Sequence, residues 1–202
     1  MNPAPKSYDL ILASASPRRL ALLDQIGIIP ARVVPADIDE TPRKNELPRA
    51  MASRLAAAKS EAIAATVDTG VILAADTVVA CGRRALPKAE TEAEARACLM
   101  LLSGRRHKVL GGICVTAVKP DGTRKTWQRL VETAVRFDRI GDTEIAAYID
   151  GGEWRGKAGG YAVQGHAAAF VAAINGSYTN VVGLCVHTTA KLLRAADAFM
   201  SS

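Results

Sequence analysis

Aromatic residues are scarce in this chain: three Phe, two Trp and four Tyr make up only 4% of its 202 residues. No stretch interleaves them with basic side chains, the pattern of a nucleic-acid surface, and the basic pairs are scattered. Nucleic acid is therefore not the expected partner. Cysteine is sparse as well. Cys81, Cys98, Cys114 and Cys185 stand far apart with no C-x-x-C pair, so they read as reduced thiols of a cytoplasmic protein. The three histidines, His107, His166 and His187, lack zinc-ligand spacing, which argues against a structural zinc. No G-x-G-x-x-G follows a strand, so a nicotinamide cofactor is not indicated. No apolar run approaches the length of a membrane span. The opening MNPAPKSYDLILASASP holds Lys6 but only a short apolar run, broken by Asp9 and serines, and does not read as a signal peptide. Repeats, low-complexity tracts and linkers are missing too, and one domain is expected.

What is present is a chain that is 49% hydrophobic, enough for a sizeable core, with a formal charge of +6. That charge suits a polyanion, either nucleic acid or a phosphorylated small molecule, and does not choose between them. Along the chain, elements alternate. Tyr8 to Ala13 reads as a buried strand, and Ser16-Pro17 with Leu20, Leu22, Leu23 and Ile26 as a helix ending at Gly27. Pro48 to Thr66 reads as a helix, Val71 to Ala75 as a second buried strand, and Glu90 to Leu102 as a helix stopped by Ser103-Gly104. Lys108 to Val118 and Arg124 to Phe137 form a hairpin about Pro120-Asp121-Gly122. Thr143 to Ile149 is helical, Gly151 to Gly160 a glycine-rich loop, Ala168 to Ile174 a strand and Val186 to Met200 a closing helix. The order predicts an α/β fold with a central mixed sheet flanked by helices.

Two arginines raise the first chemical question. Ser16 is a good N-cap and Pro17 a good first helical residue, so Arg18 and Arg19 fall in the first turn, where a cation meets the positive end of the helix dipole. Backbone donors and guanidinium groups together make an anion site there, and a bound phosphate would offset the charge conflict. The same residues would also serve as a surface pair, with Arg19 meeting Asp24. In VILAADTVVA, apolar residues run into Asp76 and Thr77, which places a carboxylate at or near a strand's C-terminal end, the edge at which open α/β sheets bind ligands; an Asp capping the next turn would look the same. DIDETP adds Asp37, Asp39 and Glu40, and RLAAAK places Arg54 and Lys59 on a helix. Carboxylates lying between phosphate-binding segments suit Mg²⁺, an ion held by one or two carboxylates plus phosphate oxygens. GGEWRGK imitates the start of a P-loop, but Ala158 stands where a Ser or Thr should hold the metal and no buried strand precedes it, so it is set aside.

Taken in order, SASPRR, DIDETP, RLAAAK, AADTVV, LSGRRHKV, KAGGYAVQG and INGSYTNVVGL resemble the Maf family, the septum-formation-inhibitor-like nucleoside triphosphate pyrophosphatases, over nearly the whole chain. The resemblance implies a central mixed twisted sheet with two lobes and a cleft, as in ITPase-like proteins. It further implies hydrolysis of a nucleoside triphosphate to the monophosphate and pyrophosphate with a divalent cation, Mg²⁺ or Mn²⁺. Carried over by motif, Asp76 is the catalytic carboxylate, with Glu40 beside it as a metal residue. Ser14, Arg18 and Arg19 of SASPRR, Lys59, and Lys88 of LPKAE contact the substrate. Arg18, Thr77 and Gln164 are associated with substrate choice in the dTTP/UTP subgroup that the chain resembles. A homodimer is compatible with this reading.

The chemistry suits these residue types. Cutting between the α- and β-phosphates needs a water held in line with the leaving pyrophosphate and charge neutralised on the phosphoryl oxygens. Asp76 would either deprotonate that water or hold the metal that acidifies it. The Gln164 amide offers donors and an acceptor, matching the N3–H and neighbouring carbonyl of uracil or thymine; it disfavours guanine and does not exclude cytosine. A loop amide bonded to backbone would read the same way. The other class of function is a non-catalytic regulator of cell division that binds nucleotide or nucleic acid, against which Asp76 itself argues.

Overall fold

The computed structural model describes residues 8–202, so the stretch up to Ser7, including Lys6, lies outside the described residues. In chain order the elements are β1 (Leu10–Leu12), α1 (Pro17–Asp24), β2 (Arg32–Val33), α2 (Pro48–Ala64), β3 (Gly70–Cys81), β4 (Arg84–Leu86), β5 (Lys88–Ala89) and α3 (Glu92–Leu102). The second half holds β6 (Arg106–Val118), β7 (Arg124–Phe137), α4 (Asp142–Asp150), β8 (Lys157–Ala158), a 3-10 turn at His166–Phe170, β9 (Val171–Asn175), α5 (Tyr178–Val182) and α6 (Val186–Met200). The main sheet runs β2-β1-β3-β6-β7-β9, with β4 also paired to β3. β1 is parallel to β2 and β3, and the other pairings are antiparallel, which is the mixed sheet expected from the order of elements.

Local chemistry accounts for the boundaries. Pro17 opens α1 and Gly27, at φ 69°, follows its end. Thr91 and Glu94 form a reciprocal capping box at α3. Asp121 accepts from the Thr123 N–H at 2.8 Å and Gly122 takes φ 82°, closing the β6–β7 hairpin. Three boundaries differ from expectation. β3 does not stop at Ala75 but runs to Cys81, because Val78, Val79 and Ala80 find partners on β6 and β4; Asp76 is thus a mid-strand residue, not a strand-end one. The 168–174 segment begins as a 3-10 turn and becomes extended only at Val171. The glycine-rich 151–160 stretch includes β8, paired to β5 in a separate ribbon.

The long strands β3 and β6 thread two packed regions. Val71, Leu73, Ile113 and Val115 pack with Leu22, Leu23, Leu192 and Leu193 at one end. Val79 and Val109 pack with Leu99, Leu102, Ile149, Trp154 and Tyr161 at the other. Between them two adjacent glycines of β6 allow close approach from opposite faces. A Cβ on Gly112 would collide with the Ala52 carbonyl of α2, and one on Gly111 with the Asn180 side chain of α5. Gly112 is the register partner of Asp76, and Gly111 that of Thr77. Each helix is therefore seated directly over one residue of the Asp76-Thr77 pair.

His107 lies in the second packed region, 1% exposed. Its Nε2 shares a 2.8 Å hydrogen bond with the Tyr161 hydroxyl, while Nδ1 has no protein partner. Burial pushes the imidazole down to about 4 from the usual 6.5. The unfolded chain then takes up a proton below about pH 6.5 that the native state refuses until about pH 4. The stability associated with His107 is fully present above the higher value and is lost as pH falls through that window, by roughly 3 kcal/mol in total. Urea unfolding between about pH 7 and pH 4 should show this decline, and His107→Phe should flatten it.

Candidate active site

The site grows from a gap beside β3. β1 accompanies that strand only as far as Leu73, whose carbonyl accepts from the Ala13 N–H at 2.8 Å. β4 joins the same edge at Val79. Between these points the 74–78 stretch is paired to β6 on its other edge alone. Successive strand residues point to opposite faces, so Asp76 faces α2 while Thr77 faces the chain around Gly183. At the gap the two faces communicate, and a cleft of about 390 Å³ opens there.

On the α2 side, Lys59 is the centre. Its Nζ lies 2.6 Å from Asp76 Oδ1 and 2.6 Å from Glu40 Oε1. Glu40 Oε2 also accepts from Lys88 Nζ at 2.5 Å. Asp76 is 5% exposed and Lys59 7%, so each depends on the other for the charge stabilisation that water would otherwise supply. Burial alone would raise the Glu40 carboxyl, but hydrogen bonds from Lys59 and Lys88 outweigh it and hold the group down at about 2. Glu40 and Asp76 thus converge on the Lys59 ammonium from two sides. That donor set fits a divalent cation completed by phosphate oxygens; among the described residues no group of three or more His, Cys, Asp or Glu could hold a metal without them.

On the other face, Arg19 is 8% exposed. It donates from Nε to the Gly183 carbonyl at 3.0 Å, from Nη1 to Ser14 Oγ at 2.9 Å and from Nη2 to Thr77 Oγ1 at 3.3 Å. It is not a surface residue paired with Asp24. Desolvation lowers its pKa, opposed by the Asp76 charge. Arg18 is half-buried and lowered by desolvation alone. Ser16 sits at the N-cap of α1, but its side chain makes no capping bond; instead Ser14 Oγ accepts from the Ser16 N–H at 3.2 Å. Pro17 has no N–H and the Arg19 N–H bonds the Ser16 carbonyl at 3.1 Å, so the Arg18 N–H is the first-turn backbone donor left for a ligand.

All the residues singled out from sequence as site residues, Ser14, Arg18, Arg19, Glu40, Lys59, Asp76, Thr77, Lys88 and Gln164, line this cleft. Others named with them do not. Arg54 turns away to Glu46, with contacts of 2.6 and 2.7 Å, and Asp39 accepts from the Thr41 N–H at 2.9 Å. Gln164 is exposed and its amide makes no hydrogen bond to the protein among the described residues, so it is not a loop-bonding amide. One cation was missed. Lys157 belongs to GGEWRGK, set aside as a false P-loop, yet the β5–β8 ribbon brings it into the cleft. Burial and then the nearby Arg18 charge lower its pKa. The available signal was its place at the head of KAGGYAVQG.

Mixed-sheet α/β architecture, with basic side chains drawn around two carboxylates, defines a protein of the phosphate-handling class. A family model described as Maf-like protein matches residues 9–196, and the chain belongs to the Maf family. It is 60% identical over 184 residues to a dTTP/UTP pyrophosphatase of Paramagnetospirillum magneticum, covering 91% of this chain and 95% of that one. A dTTP/UTP pyrophosphatase of Novosphingobium aromaticivorans is 55% identical over 195 residues, covering 96% and 95%. Another from Caulobacter vibrioides is 58% identical over 184 residues, covering 91% and 93%.

The two arginines should separate by experiment. Arg19→Ala removes three hydrogen bonds of a buried guanidinium, to the Gly183 carbonyl, Ser14 Oγ and Thr77 Oγ1, and should cost roughly 2–4 kcal/mol in urea unfolding. Arg18→Ala removes a cation from a helix start and should leave stability within about 1 kcal/mol of the parent, or raise it. Nucleotide hydrolysis should fall in both.

Proposed function

We propose that this chain is a nucleoside triphosphate pyrophosphatase acting on dTTP and UTP, cutting between the α- and β-phosphates to release the monophosphate and pyrophosphate, and that residues 1–202 work as one Maf-like domain. The observation that carries the reading is a buried carboxylate, Asp76, set in a cleft with Arg18, Arg19, Lys59, Lys88 and Lys157. Relatives named dTTP/UTP pyrophosphatase support the substrate class.

The cations bind the triphosphate and spread its developing charge, with Arg18 and the first turn of α1 on one side and Lys88 and Lys157 on the other. Lys59 holds the Asp76 carboxylate in the absence of substrate through their 2.6 Å contact. Once a phosphate oxygen competes for that ammonium, Asp76 is free to orient and deprotonate the attacking water. Glu40 and Asp76 would hold a divalent metal, Mg²⁺ or Mn²⁺, which when bound neutralises phosphoryl charge and lowers the pKa of water. The unpartnered Gln164 amide supplies a donor and an acceptor to the Watson–Crick edge of the pyrimidine. Four free cysteines suit the reducing cytoplasm. No helix among the described residues is long and apolar enough to cross a membrane. A non-catalytic regulator would have no use for a buried carboxylate held ready in this way.

Asp76→Asn keeps the shape of the side chain and removes its charge. Pyrophosphate release from dTTP or UTP with Mg²⁺ should fall by about 10²–10⁴ while the variant remains folded by circular dichroism. Normal turnover by the folded variant would overturn the reading.

Gln164→Glu replaces the donor by a charged acceptor. It should lower kcat/KM for UTP and dTTP by about ten- to a hundredfold, with a smaller loss or a gain for GTP. Steady-state kinetics on UTP, dTTP, CTP and GTP under one metal and salt condition check this, and an equal loss on all four would place Gln164 outside the base pocket.

A further inference from the structure

GGEWRGK imitates a phosphate loop, and its acidic residue acts on the loop that carries Gln164. Glu153 sits between α4 and β8, next to the fully buried Trp154, whose Nε1 donates to the Ile149 carbonyl at 2.8 Å. The backbone from which the Glu153 side chain projects is therefore anchored in the core. Its carboxylate meets a single residue of the neighbouring loop twice. Oε2 accepts from the His166 backbone N–H at 2.9 Å, and Oε1 lies 2.6 Å from His166 Nδ1. So close is the carboxylate to the intervening backbone that a Cβ on Gly165 would collide with it. On the near side of the same loop, the Ala162 N–H donates to the buried Tyr148 hydroxyl at 3.1 Å. Gln164 thus rides on a short span, residues 163–165, pinned at both ends by side chains from outside the loop.

We propose that Glu153 is a specificity-positioning residue, holding the 164–166 backbone so that the Gln164 amide meets the base at one distance and angle. The proposal rests on the reading of Gln164 as the base-selecting residue. The terminal amide is free to turn over and exchange its donor and acceptor, and so to match the opposite patterns of uracil and cytosine. What a held backbone fixes is the reach of the amide to a pyrimidine ring, and with it the exclusion of the larger guanine. A loop free to shift makes room for the purine, and that discrimination is lost although the hydrogen-bonding groups remain. The Glu153 charge also acts on Lys157. Any effect passing through Lys157 concerns the triphosphate, common to all substrates, and moves every nucleotide alike.

The test compares Glu153→Ala, Glu153→Gln, Gly165→Ala and Gln164→Glu by kcat/KM on UTP, dTTP, CTP and GTP. In Glu153→Ala the UTP:GTP ratio should fall by about five- to tenfold, the size expected for two partly exposed bonds to a charged group, with UTP:CTP within about twofold of the parent. Glu153→Gln should keep both ratios within about twofold of the parent, since its oxygen still accepts from the His166 N–H and its amide can donate to a neutral Nδ1. Gly165→Ala displaces the carboxylate without removing it, and should narrow the UTP:GTP ratio as Glu153→Ala does; it carries the comparison if Glu153→Ala does not fold. An equal loss on all four nucleotides, or an unchanged UTP:GTP ratio in Glu153→Ala while Gln164→Glu alters it, overturns the proposal and leaves the base reading intact. Unchanged ratios in Gln164→Glu overturn the base reading, and the positioning role with it.

Discussion

Lys59 and Asp76 are both almost wholly withdrawn from water, and their 2.6 Å contact is the interaction on which the rest of the cleft depends. Either group alone at that depth would carry the full desolvation penalty of an unpaired charge. Together, and with Glu40 on the other side of the ammonium, they form a chain of alternating charges that reaches the open side of the cleft at Lys88. The arrangement is neutral as it stands. A triphosphate entering it finds ammonium groups and carboxylates already in place, so little reorganisation is left for the reaction itself.

Holding that pair in register requires α2 to lie unusually close to the sheet. Gly112 makes this approach possible, because any side chain there would meet the Ala52 carbonyl. On the opposite face Gly111 does the same for Asn180, whose Nδ2 donates to the carbonyls of Val109 and Val131 and to Thr133 Oγ1. Asn180 fixes α5, and α5 delivers the Gly183 carbonyl to the Arg19 guanidinium. Two successive residues of β6 without side chains therefore stand behind the two successive residues of β3 that carry the chemistry.

The interrupted edge of β3 turns this two-faced arrangement into one site. Had β1 continued alongside β3, Asp76 and Thr77 would be separated by a continuous sheet, one accessible to α2 and the other to α5. Because β1 ends at Leu12 and β4 begins pairing only at Val79, side chains of opposite orientation border the same cleft. Arg19 bridges the faces by bonding Ser14 after β1 and Thr77 on β3. Its commitment to these bonds leaves Arg18 the freer cation toward a ligand.

The sequence by itself determined the class of fold, through apolar runs of strand length alternating with helical periodicity, and it determined the residue types of the site, because phosphate chemistry demands arginine, lysine and carboxylate wherever they stand along the chain. Its local punctuation was also legible: Pro17, the Ser103-Gly104 stop and the Asp121-Gly122 turn act over a few residues and need no distant partner. What only the tertiary structure decided are the relations between segments far apart. That β3 continues past Asp76 depends on hydrogen bonds offered by β6 and β4, and that Arg54 faces Glu46 while Lys59 faces Asp76 depends on how α2 is rotated against the sheet. Lys157 enters the cleft through the two-residue pairing of β5 with β8, a contact too short to leave a periodic signal. Glu153 likewise meets His166 only because Trp154 is buried beside it. Hydrophobic periodicity reports which face of an element is buried, but a polar side chain's partner is set by the packing of other elements, and that information is distributed over the whole chain.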